Sequence, residues 1–426
     1  MGGGRLGAAW GSPAVMRRRW LAGAFAVSAA FALLVAVFSS DSAHRLWATM
    51  AAAGYALALV ASLAIRHARG ADVALGLSFC GALLLPLTWM ASQGIEQPEV
   101  WVVARSGVTL LHQGTPYADA AALAATQDPN AYDPYLPVMA LFGLPRAIFH
   151  SGLLTDPRVW FGVVFLAVFW LALRRGGARD PGRWTIAVAA SPVIAFELAV
   201  GGTDVPMVAF LCLGFALLYQ RGRTCPVIVS AGLALGIAAA MKATAWPAVV
   251  VAVVLLAVRD GKRAAGVFTL TALTVVAACV GPFLAHPRAL VENTIKFPLG
   301  LANVRSAAAS PLPGHIIAST WHSAGHTIVV GLLVAAAAGV ALALVFRPPR
   351  SVPRAVLLLA GAMTLMFVLA PSTRFGYFIY PATLAIWLFA VRAGRRASGP
   401  ATPDPGEPPA TPHTSRPTTP ATRPAA

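Results

Sequence analysis

Residues 159–183, VWFGVVFLAVFWLALRRGGARDPGR, decide the fold class of this chain. The first fifteen residues of this stretch carry no charge, and the next ten include four arginines. An apolar helix that ends in a cluster of arginines is typical of a membrane span that reaches the cytoplasmic surface. The stretch therefore predicts an integral membrane protein.

The same pattern of apolar segment and connection recurs along the whole chain. The 426 residues are 58% hydrophobic and only 11% charged, a composition that a water-soluble domain could not hide from solvent. We predict an all-α, polytopic fold with about twelve transmembrane helices near residues 19–38, 46–65, 72–92, 159–174, 184–199, 205–220, 226–241, 244–258, 264–285, 327–346, 354–371 and 375–392.

The basic residues indicate the orientation of these segments. Only nine of the 32 Lys and Arg residues fall outside one alternating set of connections and the C-terminal tail. By the positive-inside rule, the connections of that set are cytoplasmic, and so are both termini. We expect the protein to lie in the plasma membrane. The net charge of +17 is then explained by loop anchors beside membrane lipids, so no nucleic-acid partner is expected.

Five regions follow from this topology. We expect a cytoplasmic N-terminus (1–18), three N-terminal spans (19–92), an outer catalytic loop with interfacial helices (93–158), a transmembrane core with an outer loop at 286–326 (159–392), and a disordered cytoplasmic tail (393–426). The tail is rich in Pro, Thr, Ala and Arg and cannot bury a core. The four cysteines have no paired spacing and predict neither disulfides nor a metal site.

The outer connections hold the residues that could do chemistry. From Glu99 to Leu111 the apolar residues recur at helical spacing, with Pro98 at the expected helix start. Pro98-Glu-Val-Trp-Val-Val-Ala-Arg-Ser-Gly-Val-Thr-Leu-Leu-His-Gln-Gly-Thr-Pro-Tyr117 is the first of four informative strings. The others are Tyr132-Asp-Pro-Tyr-Leu-Pro137, Gly201-Gly-Thr-Asp204 and Gly232-Leu-Ala-Leu-Gly-Ile-Ala-Ala-Ala-Met-Lys-Ala-Thr-Ala-Trp-Pro247.

Taken in order, these strings resemble glycosyltransferase family 87, a polyprenyl-phosphate-mannose-dependent branch of the C-type membrane glycosyltransferases. The resemblance covers roughly Glu99 to Tyr380. The family often has Asp at the position of Glu99, and two additional spans precede the matching region here. The resemblance implies inverting transfer of a sugar, commonly mannose, from a polyprenyl-phosphate donor to a glycolipid or glycan acceptor at the outer face, without a cofactor.

Such a reaction needs a base for the acceptor hydroxyl and cations for the departing phosphate. We predict Glu99 as the base, with Glu96 as the alternative, and we assign Asp204 to the catalytic site. An N-cap at the start of an apolar helix explains Asp204 equally well. For Lys242, phosphate binding competes with a snorkelling anchor at the membrane surface.

Further substrate contacts are predicted on the same face. Arg374 suits a phosphate because its guanidinium binds anions bidentately, although a charged loop end explains it as well. The remaining candidates for substrate binding are Arg305, Tyr117, Tyr135 and His315. A base role for His315 or His322 is a further alternative, as is a solvated histidine in the outer loop. No ligand spacing requires a metal, and we predict none.

Two other function classes fit the composition. A transporter or lipid-linked sugar flippase also has about twelve spans, but it usually keeps its ionisable residues near the membrane midplane. A non-catalytic membrane scaffold would leave Lys242 and the acidic, aromatic outer loop unexplained.

Overall fold

The structure, a computed structural model, describes residues 13–65, 67, 69–220, 222–302, 304, 308–321 and 324–397, and the side chains of all of these except 13–17 and 397. In chain order the α-helices are α1 (Pro13–Phe38), α2 (Ser42–Ala64), α3 (Gly70–Ser92, with a π-helical segment at Cys80–Leu84), α4 (Pro98–Gln113), α5 (Ala120–Ala124), α6 (Leu144–Phe149), α7 (Pro157–Gly176), α8 (Pro181–Ala189), α9 (Pro192–Val200), α10 (Val205–Leu218), α11 (Cys225–Met241), α12 (Trp246–Arg259), α13 (Lys262–Val280), α14 (Pro287–Val291), α15 (Pro313–Thr320), α16 (Gly325–Phe346), α17 (Val352–Leu369) and α18 (Ile379–Ala397).

The predicted all-α membrane fold is confirmed, but the count of twelve spans is not. Among the described residues, eight helices are long and apolar enough to cross a membrane. Helices α8 and α9 form a pair bent by 59° that would make a ninth span. The expected segments at 205–220, 226–241 and 244–258 fall on α10, α11 and α12, which are shorter.

The short helices bring polar residues into the interior of the bundle. Helix α10 has 14 residues and α11 has 17, so at ~1.5 Å per residue they extend ~21 and ~26 Å, less than the ~30 Å of a bilayer core. Asp204 precedes α10 and Lys242 follows α11. The two charges therefore meet where these helices stop short.

Two side chains of α2 donate hydrogen bonds to irregular backbone in other helices, one at the break between α8 and α9 and one in α3. The Tyr55 hydroxyl donates to the Ala190 carbonyl across 2.7 Å. The Trp47 indole donates to the Ala82 carbonyl, within the π-helical segment of α3, across 2.9 Å. An interrupted helix inside a membrane protein needs such partners, because lipid offers none. The N-terminal spans thus support the broken helix that leads to Asp204.

Residues 93–158, which the sequence analysis assigns to an outer loop, include the predicted helix near Glu99. Helix α4 starts at Pro98 and ends at Gly114, whose φ of 72° is the left-handed conformation favoured by glycine. It packs against a 3-10 segment (Pro137–Gly143) that continues into α6. At the crossing, Gly107 and Gly143 face each other so closely that a Cβ on either would overlap the other segment's backbone.

Candidate active site

Asp204 lies in the turn between α9 and α10 and binds Lys242. Gly202 allows this turn, because its φ of 77° is unfavourable for other residues. The Asp204 side chain makes no capping hydrogen bond to α10, so the N-cap interpretation is wrong. Its Oδ1 instead accepts from Lys242 Nζ across 2.5 Å and from the Tyr380 hydroxyl.

Lys242 is held by a carboxylate and two aromatic rings. Its Nζ lies 5.4 Å from the Tyr135 ring centroid and 5.2 Å from that of Tyr377, within the range of cation–π attraction. An unpaired lysine at this depth would be costly in a membrane. The pair with Asp204 removes much of that cost, so a snorkelling anchor is not needed to explain Lys242.

Tyr380 and Thr244 complete the surroundings of the ion pair. Tyr380 is fully buried, and its hydroxyl lies 2.8 Å from Thr244 Oγ1 as well as close to Asp204. Both residues were missed by the sequence analysis. For Tyr380 a signal was present in the sequence, because Tyr377 and Tyr380 are spaced by three residues just after Arg374.

Glu99 and Arg374 form a second ion pair. Glu99 lies in the first turn of α4, and its Oε1 accepts from Arg374 Nη1. The other carboxylate oxygen, Oε2, is buried and has no hydrogen-bond partner within the described part of the chain. This oxygen is a free acceptor at the predicted position of the base.

A bridge to the second outer loop holds Arg374 in place. Thr373 pairs with Ala309, and its backbone N–H and C=O bond to Ala308 and Ser310. The Phe375 N–H donates to Ser310 Oγ across 3.1 Å. Residues on both sides of Arg374 are therefore fixed by backbone hydrogen bonds.

His44 reaches this region from the N-terminal spans. It lies in the first turn of α2, with Nδ1 3.1 Å from Ser39 Oγ and Nε2 against the amide of Gln97. Gln97 in turn lies against Gly201 in the turn that leads to Asp204. His44 was missed by the sequence analysis because it lies in the short connection between the first two predicted spans and carries no motif.

Glu197 connects the two ion pairs and was also missed. It lies on α9, and a Cβ on Gly376 would come within 2.9 Å of its carboxyl carbon. It is also close enough to Asp204 and Lys242 for electrostatic coupling to both. An acid in an apolar helix of a membrane protein is a functional signal by default, and that signal was available in the sequence.

Glu96, the alternative base, lies in a separate and largely buried ion-pair network. Its carboxylate binds Arg146 across 3.2 Å and Arg158 across 3.6 Å. Arg158 is fully buried, pairs with Asp156 and donates to the carbonyls of Ile95 and Ala199. Burial raises the pKa of Glu96, and the charges of the two arginines partly oppose that rise. These contacts favour a role in joining the outer loop to the bundle.

Tyr117 supports Tyr135 from behind. Its hydroxyl donates to the Tyr135 backbone carbonyl across 3.0 Å, and its ring is buried against Phe283. Asp133 fixes the same loop segment, because its carboxylate accepts hydrogen bonds from Ser106 Oγ and from the Tyr135 N–H. Burial raises the pKa of Asp133 to about 6, although these two hydrogen bonds and the charge of Arg105 act in the opposite direction.

His315 lies near the segment that carries Arg374. Its Nδ1 is 3.0 Å from the Pro371 carbonyl oxygen, and no contact joins it to Lys242 among the described residues. Arg305 and His322 lie outside the described residues. The structure thus brings together Glu99, Asp204, Lys242, Arg374 and Tyr135, and it places Tyr117 and His315 around them.

The arginine-rich connections gather away from this site. Arg395 donates to the carbonyls of Gly176 and Tyr219, each across 2.8 Å. Arg223 and Arg259 both pair with Asp260. These hydrogen bonds and ion pairs link several of the connections that the positive-inside rule assigns to one membrane face. The candidate site is built from the other set of connections.

Comparison with solved structures finds two similar chains, both of ArnT from Cupriavidus metallidurans. The form bound to undecaprenyl phosphate is 18% identical with a TM-score of 0.48, covering 77% of this chain and 60% of that one. The apo form is 15% identical with a TM-score of 0.45, covering 76% and 60%. The chain therefore spans about 60% of the length of these structures. No curated protein matches it.

The model of glycosyltransferase family 87 matches residues 134–371. The matched region includes Tyr135, Asp204 and Lys242, whereas Glu99 and Arg374 lie outside it. It covers more than half of the 426 residues, and the chain therefore belongs to glycosyltransferase family 87.

Proposed function

We propose that this chain is a membrane glycosyltransferase that moves a sugar, with mannose the first candidate, from a polyprenyl-phosphate donor to a glycolipid or glycan acceptor at the outer face. The observation that carries the proposal is the convergence of Glu99–Arg374 and Asp204–Lys242, from distant parts of the chain, on one end of the helical bundle. ArnT, with which the chain shares limited similarity, has been captured with undecaprenyl phosphate.

The two cations suit the departing polyprenyl phosphate. Arg374 and Lys242 each have a carboxylate partner in the structure, so their charges are oriented before any substrate arrives. Developing negative charge on a leaving phosphate is stabilised by donors that need no reorganisation. The aromatic rings of Tyr135 and Tyr377 beside Lys242 would line the adjoining sugar.

Glu99 is the proposed base for an inverting, single-displacement reaction. Its free Oε2 would accept the proton of the acceptor hydroxyl as that oxygen attacks the anomeric carbon. The bond from the anomeric carbon to the phosphate oxygen breaks in the same step. The ion pair with Arg374 positions the carboxylate, and Asp204 orients the lysine that faces the phosphate.

The test is transfer by purified protein in lipid nanodiscs, with radiolabelled polyprenyl-phosphate-mannose and a glycolipid extract. We expect Glu99→Gln to lower kcat by about 10²- to 10⁴-fold, the usual contribution of a general base, while the protein stays folded and inserted. Glu292→Gln is the matched control, because Glu292 pairs with Lys296 outside this cluster. Full activity of Glu99→Gln would remove Glu99 from the base role.

The alternative function, a lipid-linked sugar flippase, predicts a different outcome. Reconstituted vesicles would then move the labelled lipid across the bilayer without forming a glycosylated product. The bent α8–α9 pair is a feature that transporters also use. Product formation supports the enzyme, whereas translocation alone supports the flippase.

A further inference from the structure

A cavity of about 450 Å³ lies at the turn between α16 and α17, within the ~300–1,000 Å³ typical of ligand sites. Three arginines line it, Arg347, Arg350 and Arg354, together with apolar residues that include Phe346 and Leu358. The other ends of α16 and α17 lie near the candidate active site, since α17 ends at Leu369. The cavity is therefore a helix length away from that site.

Within the described part of the chain, no acidic side chain pairs with the arginines of this cavity. The sequence has no Asp or Glu between Glu292 and Asp404. Helix α17 also begins at this turn without an acid in its first turn or a side-chain cap, so its positive dipole end adds to the same field.

The apolar surface beside the arginines is exposed. Val345 and Phe346, the last residues of α16, have 71% and 76% of their surface exposed. Only 11% of the apolar stretch of α16 is buried inside the protein. Exposed apolar residues that end abruptly at three arginines mark the level at which hydrocarbon gives way to headgroups.

We propose that this cavity binds the phosphate-bearing headgroup of an anionic phospholipid, whose acyl chains lie along α16. A guanidinium binds phosphate oxygens bidentately, and three of them around one cavity match a charged headgroup better than a neutral one. Prolines at positions 348, 349 and 353 restrict the backbone that presents the arginines. The site is independent of the transfer reaction and of the residues assigned to it.

The experiment measures lipid binding by the purified full-length protein in detergent, using native mass spectrometry with phosphatidylglycerol and phosphatidylcholine. We expect phosphatidylglycerol to bind preferentially. Replacing Arg347, Arg350 and Arg354 by Gln should weaken its binding by about 100-fold, from the ~1 kcal/mol that each basic residue contributes near an anionic surface. The matched control replaces three exposed arginines outside the cavity, Arg175, Arg263 and Arg392, by Gln.

Three outcomes would overturn the proposal. Equal losses of phosphatidylglycerol binding in the two triple variants would show that diffuse surface charge is responsible. Equal binding of the two lipids by the native protein would exclude headgroup recognition. Displacement of phosphatidylglycerol by equimolar inorganic phosphate would indicate a site for a free anion. If the Gln triple variant fails to fold, the Arg-to-Lys triple variant tests the same cavity. It keeps the charge but loses bidentate binding, and we expect it to bind phosphatidylglycerol more weakly than the native protein does.

Discussion

At the residue scale, the site depends on a largely buried ion pair, Asp204–Lys242, and a partly exposed one, Glu99–Arg374. Asp204 and Lys242 are about 10% and 12% exposed at their side chains, so each charge is tolerable only because the other is present. Tyr380 adds a hydrogen bond to the carboxylate. This pairing offsets the cost of burying a lysine in an apolar bundle, where a phosphate-binding site needs a cation.

The Asp204–Lys242 pair should show strong coupling. Asp204→Asn or Lys242→Gln alone should destabilise the protein by about 3–5 kcal/mol, because each leaves one uncompensated buried charge. The double variant should lose much less than the sum. Unfolding in detergent by titration with SDS measures the three values. The exposed pair Arg183–Asp72 is the control, with an expected coupling of at most ~1 kcal/mol. Additive losses of stability in the Asp204 and Lys242 variants would contradict the assigned contact.

Asp133 should make stability depend on pH. Its pKa in the folded protein is raised to about 6 by burial, against ~3.9 in an unfolded chain, so the folded state binds the proton more tightly. Its stabilising contribution is therefore fully present below pH ~4 and is lost as the pH rises through about 6.

Thermal unfolding between pH 4 and 7 tests this expectation. The Tm of the native protein should rise relative to that of Asp133→Asn as the pH falls, because Asn cannot titrate. Asp128→Asn, at an exposed position of the same loop, should run parallel to the native protein. If Asp133→Asn also runs parallel, the carboxyl does not titrate with the raised pKa.

At the scale of elements, helix length and close crossings position the site. Helix α10 begins after Asp204 and helix α11 ends before Lys242, and the two charges meet between these helix ends. The crossing of α4 with Pro137–Gly143 positions the outer loop, and Leu136 bonds to the Met241 carbonyl beside Lys242 across 2.9 Å. A displacement of this crossing would therefore move Tyr135 relative to Lys242.

Gly143→Ala tests the crossing. Its Cβ would overlap the Val103 carbonyl of α4 and lie 3.0 Å from the Gly107 nitrogen, so backbone must move. We expect a loss of about 1–3 kcal/mol, the usual cost of overpacking, and weaker transfer activity. Gly361→Ala on α17 is the control, because no atom lies within 4 Å of a Cβ there. Equal thermal stability of the two variants would argue against a tight crossing.

The whole molecule separates an acidic, aromatic end from an arginine-rich end. The membrane orientation of these ends follows from the distribution of charge, and we predict that the site faces outward. In a variant without its four native cysteines, single cysteines at Gln127 and Ser319 should react with an impermeant maleimide on intact cells. Single cysteines at Gly182 and Thr224 should react only after permeabilisation. Labelling of Gln127 and Gly182 from the same side would contradict this topology.

Sequence alone determined the membrane class, the helix at Glu99 and the identity of several residues that meet in the site. These follow from hydrophobicity, helical spacing and charge, which are local properties of the chain. Only tertiary structure decided the partners, because Glu99 and Arg374 are 275 residues apart and Asp204 and Tyr380 are 176 apart. It also made Glu96 part of a separate network and brought in His44 and Glu197, since neither local propensity nor hydropathy specifies which helix ends come together in a bundle.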